Sequence, residues 1–382
     1  MESRQVDVVV AGGGVVGCAA ALALARRGAS VILVEALPGL ALQASGTNSG
    51  MLHTGFDSKP GDLETELILR SAALRDPIID ALGVPVLRCG AVLRPRDERE
   101  LDRVDALAGN ARANGVEIER GPEGELLVPG ESVTDPVAFT LALAGAAIAA
   151  GAEVVVDSAV DGLERDGDTL VVRAGDLRVA TRALVNCAGL GADDIARLGG
   201  DARFSIYPRK GEFLVFDAPR SGTMEQIRLP VPSPTTKGIL LFPTVHGQIV
   251  CGPTAHDQED EHDWSVRTQG EAELRDKLAE VRPDLAGVPP AGRFAGLRPA
   301  GVGVNYVVEH APQCPGLVHA AAIRSTGLTA SIGIAERLCE LVAELGVALD
   351  DPAPVVAGPP PPGIGLDGPW WARTAAFVAR TA

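Results

Sequence analysis

An α/β fold, α+β when the whole chain is counted, is what this sequence predicts, and three observations carry it. A β-branched run at Val6 to Val10 leads into a glycine-spaced loop, a helix and a second strand, the unit that starts a parallel sheet. The sequence of strand, small-residue turn and helix recurs after Ala183 to Val185 and again after Leu317 to Ala321. Between these units, Phe204 to Phe216 and Gly238 to Gly252 are strand-rich and carry a hairpin signal.

The first unit, Val6 to Glu35, has a nucleotide's requirements written into it. Gly12-Gly13-Gly14-Val15-Val16-Gly17 fits G-x-G-x-x-G: a tight turn at Gly12, close backbone approach to a pyrophosphate at Gly14, and helix-to-strand packing at Gly17. The helix is expected from Val15 to Arg27, with Gly28 as its cap. Val31 to Val34 make the second strand, and Glu35 ends it with a carboxylate placed for the ribose hydroxyls of an adenosine. This unit alone accommodates NAD as readily as FAD.

The next segment is unlike a simple dehydrogenase. Ala44 to Gly61 is small, polar and glycine-punctuated, and it carries one imidazole, His53. Such a loop lets backbone amides approach a ligand, although a surface turn with an incidental histidine has the same composition. A helix follows from Leu63 to Leu82, then a strand-like stretch at Val84 to Arg94 and a solvated helix at Asp97 to Asn114. Thr134-Asp135-Pro136 starts another helix that runs to Ala150. Val154 to Val156, Leu170 to Ala174, Leu177 to Ala180 and Ala183 to Val185 read as separate strands. The last delivers Asn186-Cys187-Ala188-Gly189, a second turn of small residues where a dinucleotide can lie against bare backbone.

His246 falls at a hairpin tip, and His256 and His262 in an acidic loop that reads as solvated rather than as a metal cage. Arg298 precedes Pro299, so it is held extended, where an arginine is either an anion anchor or surface cover. Ser325 or Thr326 is placed to cap the helix after Gly327. Beyond Gly346 the chain turns proline-rich. The segment holding Trp370 and Trp371 is read as a tail that docks on the body, with a short interfacial anchor as the other reading.

Composition narrows the function. A net charge of -16 excludes a nucleic-acid partner, since phosphate backbones would be repelled. The six cysteines form no C-x-x-C pair, which fits reduced thiols in the cytoplasm and gives no zinc or iron–sulfur site. The first strand begins almost at the start, leaving no room for a signal peptide, and the most apolar run, Val137 to Ala150, is too short to span a bilayer. Cytoplasmic location with at most peripheral membrane contact is the expectation.

These residues together carry a resemblance to the amino-acid-oxidase superfamily of FAD-dependent oxidoreductases, from Val6 to Leu345. The glycine fingerprint and Asn186-Cys187-Ala188-Gly189 are general to it. Asn48-Ser49-Gly50-Met51-Leu52-His53 with Lys59-Pro60-Gly61 resembles bacterial FAD-dependent glycerol-3-phosphate dehydrogenases and oxidases, and L-2-hydroxyglutarate oxidases. Pro208-Arg209-Lys210-Gly211-Glu212, Pro243 to Gly247 and Gly252-Pro253-Thr254-Ala255 are more similar to the glycerol-3-phosphate branch.

The resemblance implies a Rossmann-like FAD-binding domain over 1–82, 134–203 and 293–346, a discontinuous substrate domain on a mixed sheet over 83–133 and 204–292, and a tail at 347–382. It implies His53 as catalytic base, with Lys237, Arg298 and Ser325 on the substrate. The expected FAD contacts are Gly12, Gly14, Val15, Val16, Gly17, Glu35, Ala36, Thr47, Asn48, Ser49, Gly50, Leu52, Val160, Ala188, Gly189, Arg298, Ser325, Thr326, Gly327, Leu328 and Thr329. Many glycerol-3-phosphate dehydrogenases carry a cysteine-rich C-terminal domain that these 382 residues do not include, and Arg324 is a cation not expected at that place in every relative. The expected activity is oxidation of a small anionic 2-hydroxy compound, sn-glycerol 3-phosphate first and L-2-hydroxyglutarate or another 2-hydroxy acid next. An amino acid or amine oxidase and a non-catalytic flavin-binding subunit are the other readings. Oxygen, a quinone or a redox protein completes the electron path.

Overall fold

The computed structural model describes residues 2–167, 169–218, 224–232, 238–363 and 368–381. Its α/β architecture rests on two large sheets and one small one. The first has eight strands. At its centre β1 (Glu2–Ala11) lies parallel to both Leu177–Asn186 and β2 (Val31–Val34). Val8, Val9 and Val10 of β1 are buried on both faces, as a central parallel strand requires.

Helix α1 (Val15–Ala25) is alanine-rich and buried nearly all round, because it lies under two further helices, Pro136–Ala149 and Gly327–Glu344. It is two residues shorter than expected: Arg26 is the C-cap and Gly28 takes the left-handed φ of +85° just beyond. The start of Pro136–Ala149 is as the sequence indicates, since the Asp135 carboxylate accepts from the amides of Val137 and Ala138, both at 2.9 Å. Burial without a membrane accounts for its apolar composition. Among the described residues no helix is long and apolar enough to cross one.

One local expectation is corrected. Leu177 to Ala180 and Ala183 to Val185 belong to a single strand, Leu177–Asn186. On the side away from β1 it changes partner partway: its first half pairs antiparallel with Thr169–Ala174, and Leu184 to Asn186 pair parallel with Leu317–Ala321. A strand at Val160–Asp166, whose mixed composition hides it, extends the same sheet.

The second sheet has nine strands, and its longest ladder joins Ile206–Asp217 to Gly292–Gly301 in unbroken antiparallel register. That register puts Arg209 opposite Arg298. The stretch Val84 to Arg94 splits between sheets: Ala91–Leu93 joins the second, and Val86–Leu87 joins a third, three-stranded one with Met51–Leu52 and Ser132–Thr134.

The tail docks on the body. Its first residues bond to α1, with Asp350 N donating to Arg27 O at 2.9 Å and Ala353 N to Arg26 O at 2.8 Å. Trp370 is then buried beside Phe294, with ring centroids 5.2 Å apart and an interplanar angle of 77°. Trp371 Nε1 donates to Gln248 Oε1 at 3.1 Å, and Thr374 Oγ1 to Leu42 O at 3.0 Å.

Candidate active site

The carboxyl ends of β1, β2, Leu177–Asn186 and Leu317–Ala321 open on one cavity of about 430 Å³, where open α/β sheets place their ligands. At Gly12, φ is +109° and a Cβ would lie 2.4 Å from Cys187 O. Only glycine admits this approach of the two turns. Glu35 braces the loop: Oε2 accepts from Gly13 N at 2.6 Å and Oε1 from Leu37 N at 2.9 Å. Burial raises its pKa, with those backbone bonds opposing the shift. Asn186 shapes the second turn, donating to Ala192 O at 2.7 Å and accepting from Ala188 N at 3.3 Å.

Two long helices begin at this cavity. Gly14 caps α1 and Thr326 caps Gly327–Glu344, in both cases without a side-chain cap bond. Each N-terminus presents amides and a partial positive charge. Bare glycine backbone, Glu35 beside the second strand and two helix starts along one cavity suit an elongated anionic cofactor such as FAD. Thr326 thus holds the expected cap position, but not through its side chain: the hydroxyl donates to Glu64 Oε1 and lies 2.7 Å from the Tyr306 hydroxyl, so this threonine ties the helix to neighbouring elements.

His53 follows the short strand Met51–Leu52, whose partner strand is preceded by Glu131. The antiparallel register therefore brings the two side chains together, with His53 Nδ1 2.9 Å from Glu131 Oε2. Glu131 is wholly buried, and its other oxygen accepts from the Thr54 amide at 2.7 Å and hydroxyl at 2.9 Å. A carboxylate can only accept, so the imidazole proton belongs on Nδ1 and Nε2 carries the lone pair of a base. The His53 amide donates to Thr329 Oγ1 at 3.1 Å, fastening the histidine to the first turn of Gly327–Glu344. Arg75, also buried, reaches His53 O at 3.4 Å.

Arg298 stands on the strand Gly292–Gly301 and lines the cavity. Its Nη2 donates to Thr254 O at 2.6 Å and Lys210 O at 3.3 Å. Burial, and after it the charges of Arg209 and Arg324, lower its pKa to about 10, which still leaves it cationic near neutrality. Arg209 is offset by Asp257 at 2.5 Å.

Of the expected residues, Gly12, Gly14, Val15, Val16, Glu35, Ala36, Thr47, Asn48, Ser49, Val160, Ala188, Gly189, Arg298, Ser325, Gly327 and Leu328 line the cavity. Gly17 packs against Gly12 O, Leu52 lies in the core, and Gly50 abuts Thr134. Thr329 holds His53, and Lys237 lies outside the described residues. His246 turns its Nε2 to Asp135 and His256 to Glu273, as polar surface contacts. No metal-binding group of side chains occurs among the described residues. Sequence reading missed Glu131, an acid in a Gly-flanked loop with no periodic signal, and Ser45, whose Oγ accepts from Val15 N at 2.9 Å.

Comparisons with known proteins give the family and the cofactor class. The family described as FAD dependent oxidoreductase (DAO) matches residues 7–341. A glycerol 3-phosphate dehydrogenase of Caloramator mitchellensis is 26% identical over 363 residues, 90% of this chain and 75% of that protein. An L-2-hydroxyglutarate dehydrogenase of Escherichia coli is 29% identical over 270 residues, 65% of this chain and 64% of that protein. The structure of dithionite-reduced L-α-glycerophosphate oxidase from Mycoplasma pneumoniae with FAD bound superposes with a TM-score of 0.85 at 25% identity, covering 93% of this chain and 98% of that one. A strand-end cavity with two helix starts, a histidine on a buried carboxylate and a family match over most of the chain lead to one conclusion: this protein belongs to the DAO family of FAD-dependent oxidoreductases.

Proposed function

We propose that this protein oxidises sn-glycerol 3-phosphate to dihydroxyacetone phosphate. The observation that carries the reading is His53, held through Nδ1 by buried Glu131 and through its amide by Thr329, in the first turn of the helix that starts at the cavity lined by Arg298. Similarity to glycerol 3-phosphate dehydrogenase and oxidase proteins along nearly the whole chain supports it.

FAD, when bound, supplies the two-electron acceptor for the hydride of the carbinol carbon. His53 Nε2 takes the hydroxyl proton, so the alcohol leaves as a ketone with atoms and charge balanced. Arg298, with Lys237 and Ser325, holds the anion so that the C–H points at the ring; such orientation is a large part of catalysis. In this reading 1–82, 134–203 and 293–346 hold the cofactor, and 83–133 and 204–292 complete the substrate side. L-2-hydroxyglutarate is the second reading, since Arg298 serves a carboxylate equally well. Oxygen, a quinone or a redox protein reoxidises the enzyme, which works in the cytoplasm with at most peripheral membrane contact. Its cysteines, all free, are in keeping with a reducing compartment.

The test is anaerobic mixing of holoenzyme with sn-glycerol 3-phosphate, L-2-hydroxyglutarate and amino acids while the flavin absorbance is followed. Glycerol 3-phosphate should bleach it fastest. His53→Asn should retain FAD and slow bleaching by about 10²–10⁴-fold. Full reduction rates in that variant would remove His53 from the reaction, and bleaching by an amino acid alone would replace the substrate.

A further inference from the structure

The cavity contains a cation that neither folding nor the anchor role of Arg298 explains. Arg324 lines it beside Arg298, and its backbone is in the left-handed region at φ +57°. Ala322 is left-handed as well, at φ +55°, so the chain is contorted twice within three residues. Non-glycine residues rarely adopt this conformation, and where they do the surroundings must impose it. Here they do: Arg324 N donates to Pro299 O, next to Arg298, at 3.1 Å, and Tyr306 N donates to Ala322 O at 3.1 Å. The turn thereby presents its side chain at the end of the strand that carries Arg298.

That placement brings like charges together in an acidic protein. Arg324 and Arg209 both act on Arg298, and of the three only Arg209 has an ion-pair partner among the described residues, Asp257. Of the carboxylates that line the same cavity, Glu35 accepts from Gly13 and Leu37 and Asp194 from Arg197, while Glu261 lies in the field of Asp194, Asp193, His262 and Arg197. Two guanidinium groups converging without a carboxylate between them are stable when an anion joins them.

We propose that Arg324 and Arg298 form a two-fork subsite that selects a phosphomonoester over a carboxylate as the far end of the substrate. One bidentate fork fills a carboxylate's two oxygens, whereas a phosphomonoester presents three oxygens and nearly two charges, enough for both forks. Arg298 is the buried anchor, and Arg324, exposed at the mouth, adds discrimination. This deepens the reading of the preceding section and rests on it for the position of the substrate.

The test uses holoenzyme and inorganic phosphate, which cannot be oxidised, so binding is read from perturbation of the flavin absorbance without turnover. The unaltered protein should saturate with phosphate, and more tightly than with glutarate. Arg324→Gln should weaken phosphate by about 10- to 100-fold, and propionate, a monocarboxylate with no hydroxyl to oxidise, by less than about 3-fold. Arg324→Gly, which removes the cation and frees the left-handed backbone, should lose phosphate affinity equally while melting no earlier than the unaltered protein. Unchanged phosphate affinity in both variants, or equal losses for phosphate and propionate, overturns the proposal. Tighter binding of glutarate than phosphate overturns it in favour of a dicarboxylate site. Failure of glycerol 3-phosphate to reduce the flavin while phosphate still binds through Arg324 would discard the proposed reaction and leave the subsite standing.

Discussion

The Glu131 carboxylate spends all its bonding on two neighbours: Thr54 through one oxygen and His53 through the other. An amide in its place separates the two functions. In Glu131→Gln the amide oxygen stays with the Thr54 donors, so the NH₂ faces His53 Nδ1, which must then accept. The imidazole proton moves to Nε2, where the base lone pair is needed. Flavin reduction by substrate is therefore expected to slow by on the order of 10²-fold with FAD content intact, measured by stopped-flow absorbance. A rate equal to that of the unaltered enzyme would show that the tautomer is set elsewhere. None of this was legible in the sequence, because His53 and Glu131 come together only through the short antiparallel pairing of Met51–Leu52 with Ser132–Thr134. The glycine fingerprint and Glu35, by contrast, act within one local βαβ unit and could be read directly.

At the scale of elements, local rules held where the partners are near in sequence and failed where distant strands decide. Asp135 with Pro136 is a complete helix start in consecutive residues, and the helix begins there. Leu177–Asn186 looked like two strands because nothing local reports that a single strand changes partner from Thr169–Ala174 to Leu317–Ala321. Tryptophan in the tail has the same ambiguity: an anchor and a docked plug share one composition. Its packing against Phe294 distinguishes them. Trp370→Ala removes a side chain that is 1% exposed and should cost about 3–5 kcal/mol, read as a shift in the denaturant midpoint at fixed FAD. Thr374 also donates to Leu42 O, in the loop that borders the cavity, so the same variant should release FAD sooner on gel filtration. A loss below about 1 kcal/mol would mean that the tail lies on the surface without supporting it.

Over the whole molecule, the cavity is assembled from segments that share no local sequence: 11–49, 158–160, 187–195, 296–299 and 320–328 all contribute to its lining. Most come from the first sheet and its connections, and 296–299 comes from the strand that pairs with Ile206–Asp217 in the second. A ligand touching all of them acts as a cross-link between the sheets, and its binding energy is added to folding energy. Free FAD at a hundred times its dissociation constant should stabilise the protein by about 2.7 kcal/mol. The distribution of that gain is the sharper expectation. Removal of FAD should raise amide hydrogen exchange in Gly12 to Glu35, in Ala320 to Leu328 and in the Arg298 strand together, since each loses the same contact. Faster exchange confined to Gly12 to Glu35 would mean that the cofactor is held by the N-terminal unit alone and that the two sheets are joined by protein contacts without its help.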